Sequence, residues 1–135
     1  MGVEHNMAQY DITQLKSLEH DTSDGAYNSL VKIDDTHFML AYTGSGNDGY
    51  IKTFSIDGSY NITEIDSLEH DTVYGVFNSL VKIDDKHYAL TYNGYLNGAN
   101  RGFVKTFYIE IPVSAPTVTT QAVSSIDKTT ATGIS

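Results

Sequence analysis

The residues in this chain best suited to proton transfer are two His-Asp pairs, His20-Asp21-Thr22 and His70-Asp71-Thr72. An imidazole held by a carboxylate is how a general base is oriented, so His70 with Asp71 could serve a hydrolase. Their duplication points to structure instead, because a buried His and Asp can satisfy each other and nearby backbone groups wherever the same unit recurs. Adjacent strand residues face opposite sides, so each pair meets only where a strand has ended. Asp34-Asp35-Thr36-His37 and Asp84-Asp85-Lys86-His87 offer oxygen and nitrogen donors for a metal. No third or fourth ligand is spaced to complete a shell, and Asp-Asp is ordinary turn chemistry. Neither metal nor cofactor is therefore expected. Gly44 to Gly49 is glycine-rich, but it joins two strands rather than opening a helix, so it reads as a flexible turn and not a phosphate cradle.

Ligand contact is sought where two otherwise equal copies differ. Val73-Tyr74 stands where the first copy has Ser23-Asp24, and the loop Tyr95 to Gly102 is longer by three residues than its counterpart. Tyr74, Tyr95, Asn97 and Arg101 form a set able to stack on and hydrogen-bond a sugar or a peptide. The competing reading is drift in a solvent-exposed loop.

What must position these residues is a repeat. Ser17 to Asp35, SLEHDTSDGAYNSLVKIDD, returns 50 residues later as Ser67 to Asp85, SLEHDTVYGVFNSLVKIDD. Each copy reads as four short strands rich in β-branched and aromatic residues and bounded by Gly, Asn, Asp or Ser. In the first copy they are Ile12 to His20, Tyr27 to Ile33, His37 to Thr43 and Tyr50 to Ile56. In the second they are Ile62 to His70, Phe77 to Ile83, His87 to Asn93 and Phe103 to Ile109. No window sustains a helical period, so the expectation is all-β. Four antiparallel strands in about 50 residues describe a β-propeller blade.

The phase of the repeat predicts assembly. If NSLVKI begins each blade, Ile62 to His70 is the outer strand of the first blade, and Ile12 to His20 is an outer strand without a blade of its own. The second blade ends at Ile111 with no outer strand after it. Two blades cannot close a ring, and unmatched edges are an aggregation hazard. Cyclic association would seat the first strand of one protomer on the last blade of the next. A trimer with six blades is favoured over a tetramer with eight.

Tandem near-identical blades over residues 10–111 resemble the small oligomeric propellers of bacterial and metagenomic origin, among them two-blade lectins that trimerise into six-bladed rings. The resemblance is architectural, with no Trp-Asp ending, kelch Gly-Gly pair, YWTD or sialidase Asp-box in the chain. It implies a non-enzymatic interaction or structural module, with a lectin-like glycan binder repeated around the ring as the alternative. It also makes the His-Asp pairs similar to the Asp-His networks of WD-type blades.

Composition narrows the partners. Acidic residues outnumber basic by 17 to 8, for a formal net charge of -9, and the basic ones are scattered, which argues against nucleic acid. Apolar runs fall far short of the roughly 20 residues that span a bilayer, so membrane insertion is not expected. Cysteine is absent, which excludes thiol chemistry. The chain divides into an extension at 1–11, the paired blades at 12–111 and a Thr/Ser-rich segment at 112–135. That last segment, APTVTTQAVSSIDKTTATG in its body, resembles the start of a fibronectin type III-like or immunoglobulin-like domain of bacterial surface proteins, or else is a linker. The resemblance implies an extracellular or cell-surface setting and an incomplete β-sandwich. The expected partners are other copies of the chain and a glycan or protein ligand.

Overall fold

The computed structural model describes residues 9–113; the expectations for the N-terminal eight residues and for 114–135 lie outside them. Seven strands follow one another: β1 Ala26–Asp34, β2 His37–Thr43, β3 Gly49–Ile56, β4 Ile62–Asp71, β5 Val76–Lys82, β6 His87–Leu96 and β7 Ala99–Tyr108. They form two antiparallel sheets, one of four strands in the order β1-β2-β3-β4 and one of three in the order β5-β6-β7. The described residues are thus all-β, and each sheet begins with the strand that holds NSLVK.

Local chemistry sets the turns. The Asp34 carboxylate accepts the Thr36 N–H at 2.9 Å and the Asp84 carboxylate accepts the Lys86 N–H at 2.9 Å, turning β1 into β2 and β5 into β6. The Asp57 carboxylate accepts the N–H groups of Ser59 and Asn61, both at 2.9 Å, between β3 and β4. Near the start of β1 and of β5 a bulge interrupts the ladder, between Ala26 and Ser29 and between Val76 and Ser79. It leaves Tyr27 and Phe77 at φ 50° and 56°, a conformation uncommon for side chains of that size. The two rings meet edge to face at 4.4 Å.

The sheets pack face to face around one core. Ile33, Met39, Ala41 and Ile51 of the first sheet meet Leu80, Tyr88, Leu90 and Tyr92 of the second. The opposite face of the first sheet carries a smaller cluster of Leu40, Tyr42 and Phe54. Hence β2 is buried on both sides from Met39 to Thr43. Polar ties cross between the sheets: Lys82 Nζ donates to the Ile33 carbonyl at 2.6 Å, the Leu80 N–H to Ser29 Oγ at 3.0 Å, and Thr43 Oγ1 to the Gly75 carbonyl at 2.6 Å.

Within one chain residues 12–19 carry no strand and are exposed, and the edge beside β3 holds β4. Two expectations need correction. The loop expected from Tyr95 to Gly102 is instead the tip of a hairpin. Asn97 and Gly98, at φ 53° and 73°, form a tight Asn-Gly turn that lets β6 and β7 pair out to Leu96 and Ala99. Gly44 to Gly49 is more than a flexible turn: it winds into a single 3-10 turn whose Asn47 carbonyl accepts the Gly75 N–H at 2.7 Å, tying the two sheets together.

Candidate functional site

The His-Asp pairs sit at equivalent places. Each lies before the first strand of a sheet, β1 or β5, and packs on the second strand of that sheet, β2 or β6. The Tyr42 hydroxyl donates to Asp21 Oδ2 at 2.8 Å and the Tyr92 hydroxyl to Asp71 Oδ2 at 2.7 Å. His20 lies edge-on to the Tyr42 ring at 4.7 Å, and His70 edge-on to Tyr92 at 4.8 Å. Lys52 donates to the His20 carbonyl and Lys105 to the His70 carbonyl, each ammonium also standing over the neighbouring tyrosine ring at 5.7 Å and 5.4 Å. The other oxygen of each carboxylate turns the chain, Asp21 Oδ1 accepting from Ser23 and Asp24, Asp71 Oδ1 from Val73 and Tyr74.

Electrostatics follow from this geometry. Hydrogen bonds from the backbone of Asp24 and Ser23 hold the Asp21 carboxyl below the usual range. Burial works against ionisation at Asp71, but the Tyr74 N–H and the Tyr92 hydroxyl outweigh it and hold that carboxyl low as well. Burial, followed by the Asp partner, pushes the Tyr42 and Tyr92 phenols up. His70, removed from solvent and close to Lys105, is pushed down to about 4. Within each pair the carboxylate holds a tyrosine and a turn rather than orienting the imidazole, so the arrangement required of a general base is missing. The pairs act as staples: His70-Asp71 fixes the end of the first sheet to the face of the second.

Lys52, Lys105, Tyr42 and Tyr92 were not singled out in the sequence. The signal that finds the lysines is a second repeat, Lys52-Thr53-Phe54 against Lys105-Thr106-Phe107, offset by 53 residues because of the longer hairpin, while Tyr42 and Tyr92 recur at the 50-residue offset.

Asp34 and His37 meet at 2.8 Å through Oδ1 and Nδ1, as do Asp84 and His87, each pair closing its own turn. Among the described residues no group of three or more His, Asp or Glu is placed to hold a metal ion. No helix there is long and apolar enough to cross a membrane.

Of the four proposed ligand contacts, Tyr74 and Tyr95 come together, their rings 5.1 Å apart and tilted at 43°, with Tyr95 exposed. Asn97 sits at the hairpin tip. Arg101 pairs with Gly94, the rung next to Tyr95 and Asn100, so strand alternation puts its side chain on the face opposite Tyr95. The aromatic pair is a surface; the four residues are not one site.

No protein family, curated protein or solved structure matches the chain.

Proposed function

We propose that the chain is a non-enzymatic β-propeller interaction module whose two sheets are blades, completed into a ring by cyclic association of identical chains. The observation that supports it is an asymmetry of burial between equivalent positions. Leu80 is 4 % exposed and its counterpart Leu30 62 %, Ile33 is 4 % and Ile83 58 %, and Ile51 is 7 % and Val104 71 %. Leu80 belongs to one side of the junction between sheets and Ile33 and Ile51 to the other. The two uncovered faces are therefore the two halves of the same junction, each waiting for the other. A head-to-tail contact of this kind closes when the rotation allows.

Three chains would supply six blades and four would supply eight. Light scattering coupled to size exclusion tests the reading: a single trimeric mass is expected, a tetramer keeps the ring with more blades, and a folded monomer overturns it. An extracellular or surface setting is part of the proposal and rests on the character of residues 114–135.

A second reading, a lectin-like glycan binder, is favoured by the Tyr74–Tyr95 pair, since an exposed ring tilted against a half-buried one suits the apolar face of a sugar. Repetition around a ring would raise avidity. A glycan array probed with the assembled protein tests it: retention lost in Tyr95→Ala supports it, and no retention above background sinks it.

A further inference from the structure

We infer that residues 12–19 of one copy are the missing outer strand of the three-stranded sheet of a second copy, pairing antiparallel with β7 in one defined register. This rests on the ring reading above and specifies the contact within it.

The chain contains its own template for this contact. In the first sheet β4 lies on β3 with Ile51 opposite Leu68, Lys52 opposite Ser67, Thr53 opposite Asp66 and, after a bulge at Ile65, Phe54 opposite Glu64. The register of β2 on β3, with Tyr42 opposite Tyr50, matches that of β6 on β7, with Tyr92 opposite Phe103, so β7 is β3 displaced by 53 residues. The segment 12–19 is β4 displaced by 50 residues. Transferring the pairing puts Val104 opposite Leu18 of the second copy, Lys105 opposite Ser17, Thr106 opposite Lys16 and, past a bulge at Leu15, Phe107 opposite Gln14.

Two independent features fit. The first is anchorage: Asp21 and His20 are already stapled to Tyr42 in the described chain, as Asp71 and His70 are to Tyr92. Since β4, running into its staple, belongs to the sheet before the one it is stapled to, residues 12–19 are held at the place where a preceding sheet would receive them. The second is a pair of glycines. At Gly49 a Cβ would stand 2.3 Å from His70 Cε1, so the glycine makes room for the histidine of the junction. Its equivalent, Gly102, has nothing within 4 Å of a Cβ, and the missing neighbour is supplied by His20 of the second copy. His20 is correspondingly less buried than His70.

The absence of cysteine makes the test clean. Full-length chains carrying Val104→Cys are mixed with chains carrying Leu18→Cys, allowed to exchange, and oxidised mildly. A disulfide between the two chains is expected in the assembled fraction. The pair Val104→Cys with Gln14→Cys, about 10 Å out of register at the rise of a strand because Gln14 would face Phe107, is expected to give less than a tenth of that product. An oligomer of unchanged mass in which the first pair fails to cross-link, or in which both pairs cross-link equally, overturns the inference and leaves the ring reading standing. A monomer overturns both and assigns the β7 edge to some other polypeptide segment. Hydrogen exchange provides a readout free of substitutions: residues 12–19 should gain protection in the oligomer together with β7, and fast exchange of 12–19 within an intact oligomer would refute the strand.

Discussion

His70 makes stability depend on pH in a way that can be calculated. Its ring is enclosed between Tyr92, Phe107, Gly49 and Gly75, with Lys105 and Asp71 as the charged neighbours. Burial first, then Lys105, lowers its pKa from 6.5 to about 4. Below pH 6.5 the unfolded chain takes up this proton and the folded chain does not, so stability is full above that value and falls until the folded histidine is protonated near pH 4. At about 1.4 kcal/mol per pH unit, the loss across the window is about 3 kcal/mol. The carboxylates held low, Asp21, Asp34, Asp57, Asp71 and Asp84, act in the same direction but only below their ordinary value of 3.8. Urea unfolding at fixed protein concentration, compared at pH 7 and pH 4.5, reads the effect as a shift in midpoint at constant m. His70→Asn, which cannot titrate, should be less stable at pH 7 and nearly flat between the two. A wild-type midpoint that does not move, or a variant that retains the wild-type slope, would refute the reasoning.

Further outcomes follow from the same contacts. Tyr92→Phe removes the hydroxyl donated to Asp71 at 2.7 Å and should cost about 1–2 kcal/mol in urea unfolding, with Tyr42→Phe doing the same at Asp21. Gly75→Ala places a Cβ 2.6 Å from Gly49 Cα, where no flexible atom can yield, and should lower stability by about 1–3 kcal/mol, whereas Gly58→Ala, with open space around it, should stay within about 0.5 kcal/mol. Lys82→Met breaks the tie to the Ile33 carbonyl and should loosen the packing of one sheet on the other, seen as faster amide exchange in β5 without loss of β2 protection.

Strand positions were legible because hydrophobic runs and turn residues repeat, so each boundary was given twice. The grouping of β1 to β4 into one sheet follows the repeat as well, with β4 pairing on β3. The hairpin tip is masked in the sequence: three added residues read as a loop, yet the Asn97-Gly98 dipeptide absorbs them in a tight turn. Arg101 was grouped with Tyr95 on proximity in sequence, and strand alternation separates them. The role of Asp21 and Asp71 was half visible: a structural pair was foreseen, but the tyrosine partner lies 21 residues away and no local pattern names it.

In the proposed ring, the junction between chains would lack the covalent link that β4 and β5 share within one chain. Within a chain that link keeps the halves together at an effective concentration set by a short connection, in the millimolar range for flexible tethers. Between chains the same contacts must form at the concentration of the protein itself. A protomer below that threshold keeps one junction and exposes the halves of another, and dilution should undo assembly before it unfolds either sheet. What such a proposed ring would require is then a count of sheets, not of chains. A polypeptide bearing one repeat or three could enter the same circle, with the break between chains falling at any junction.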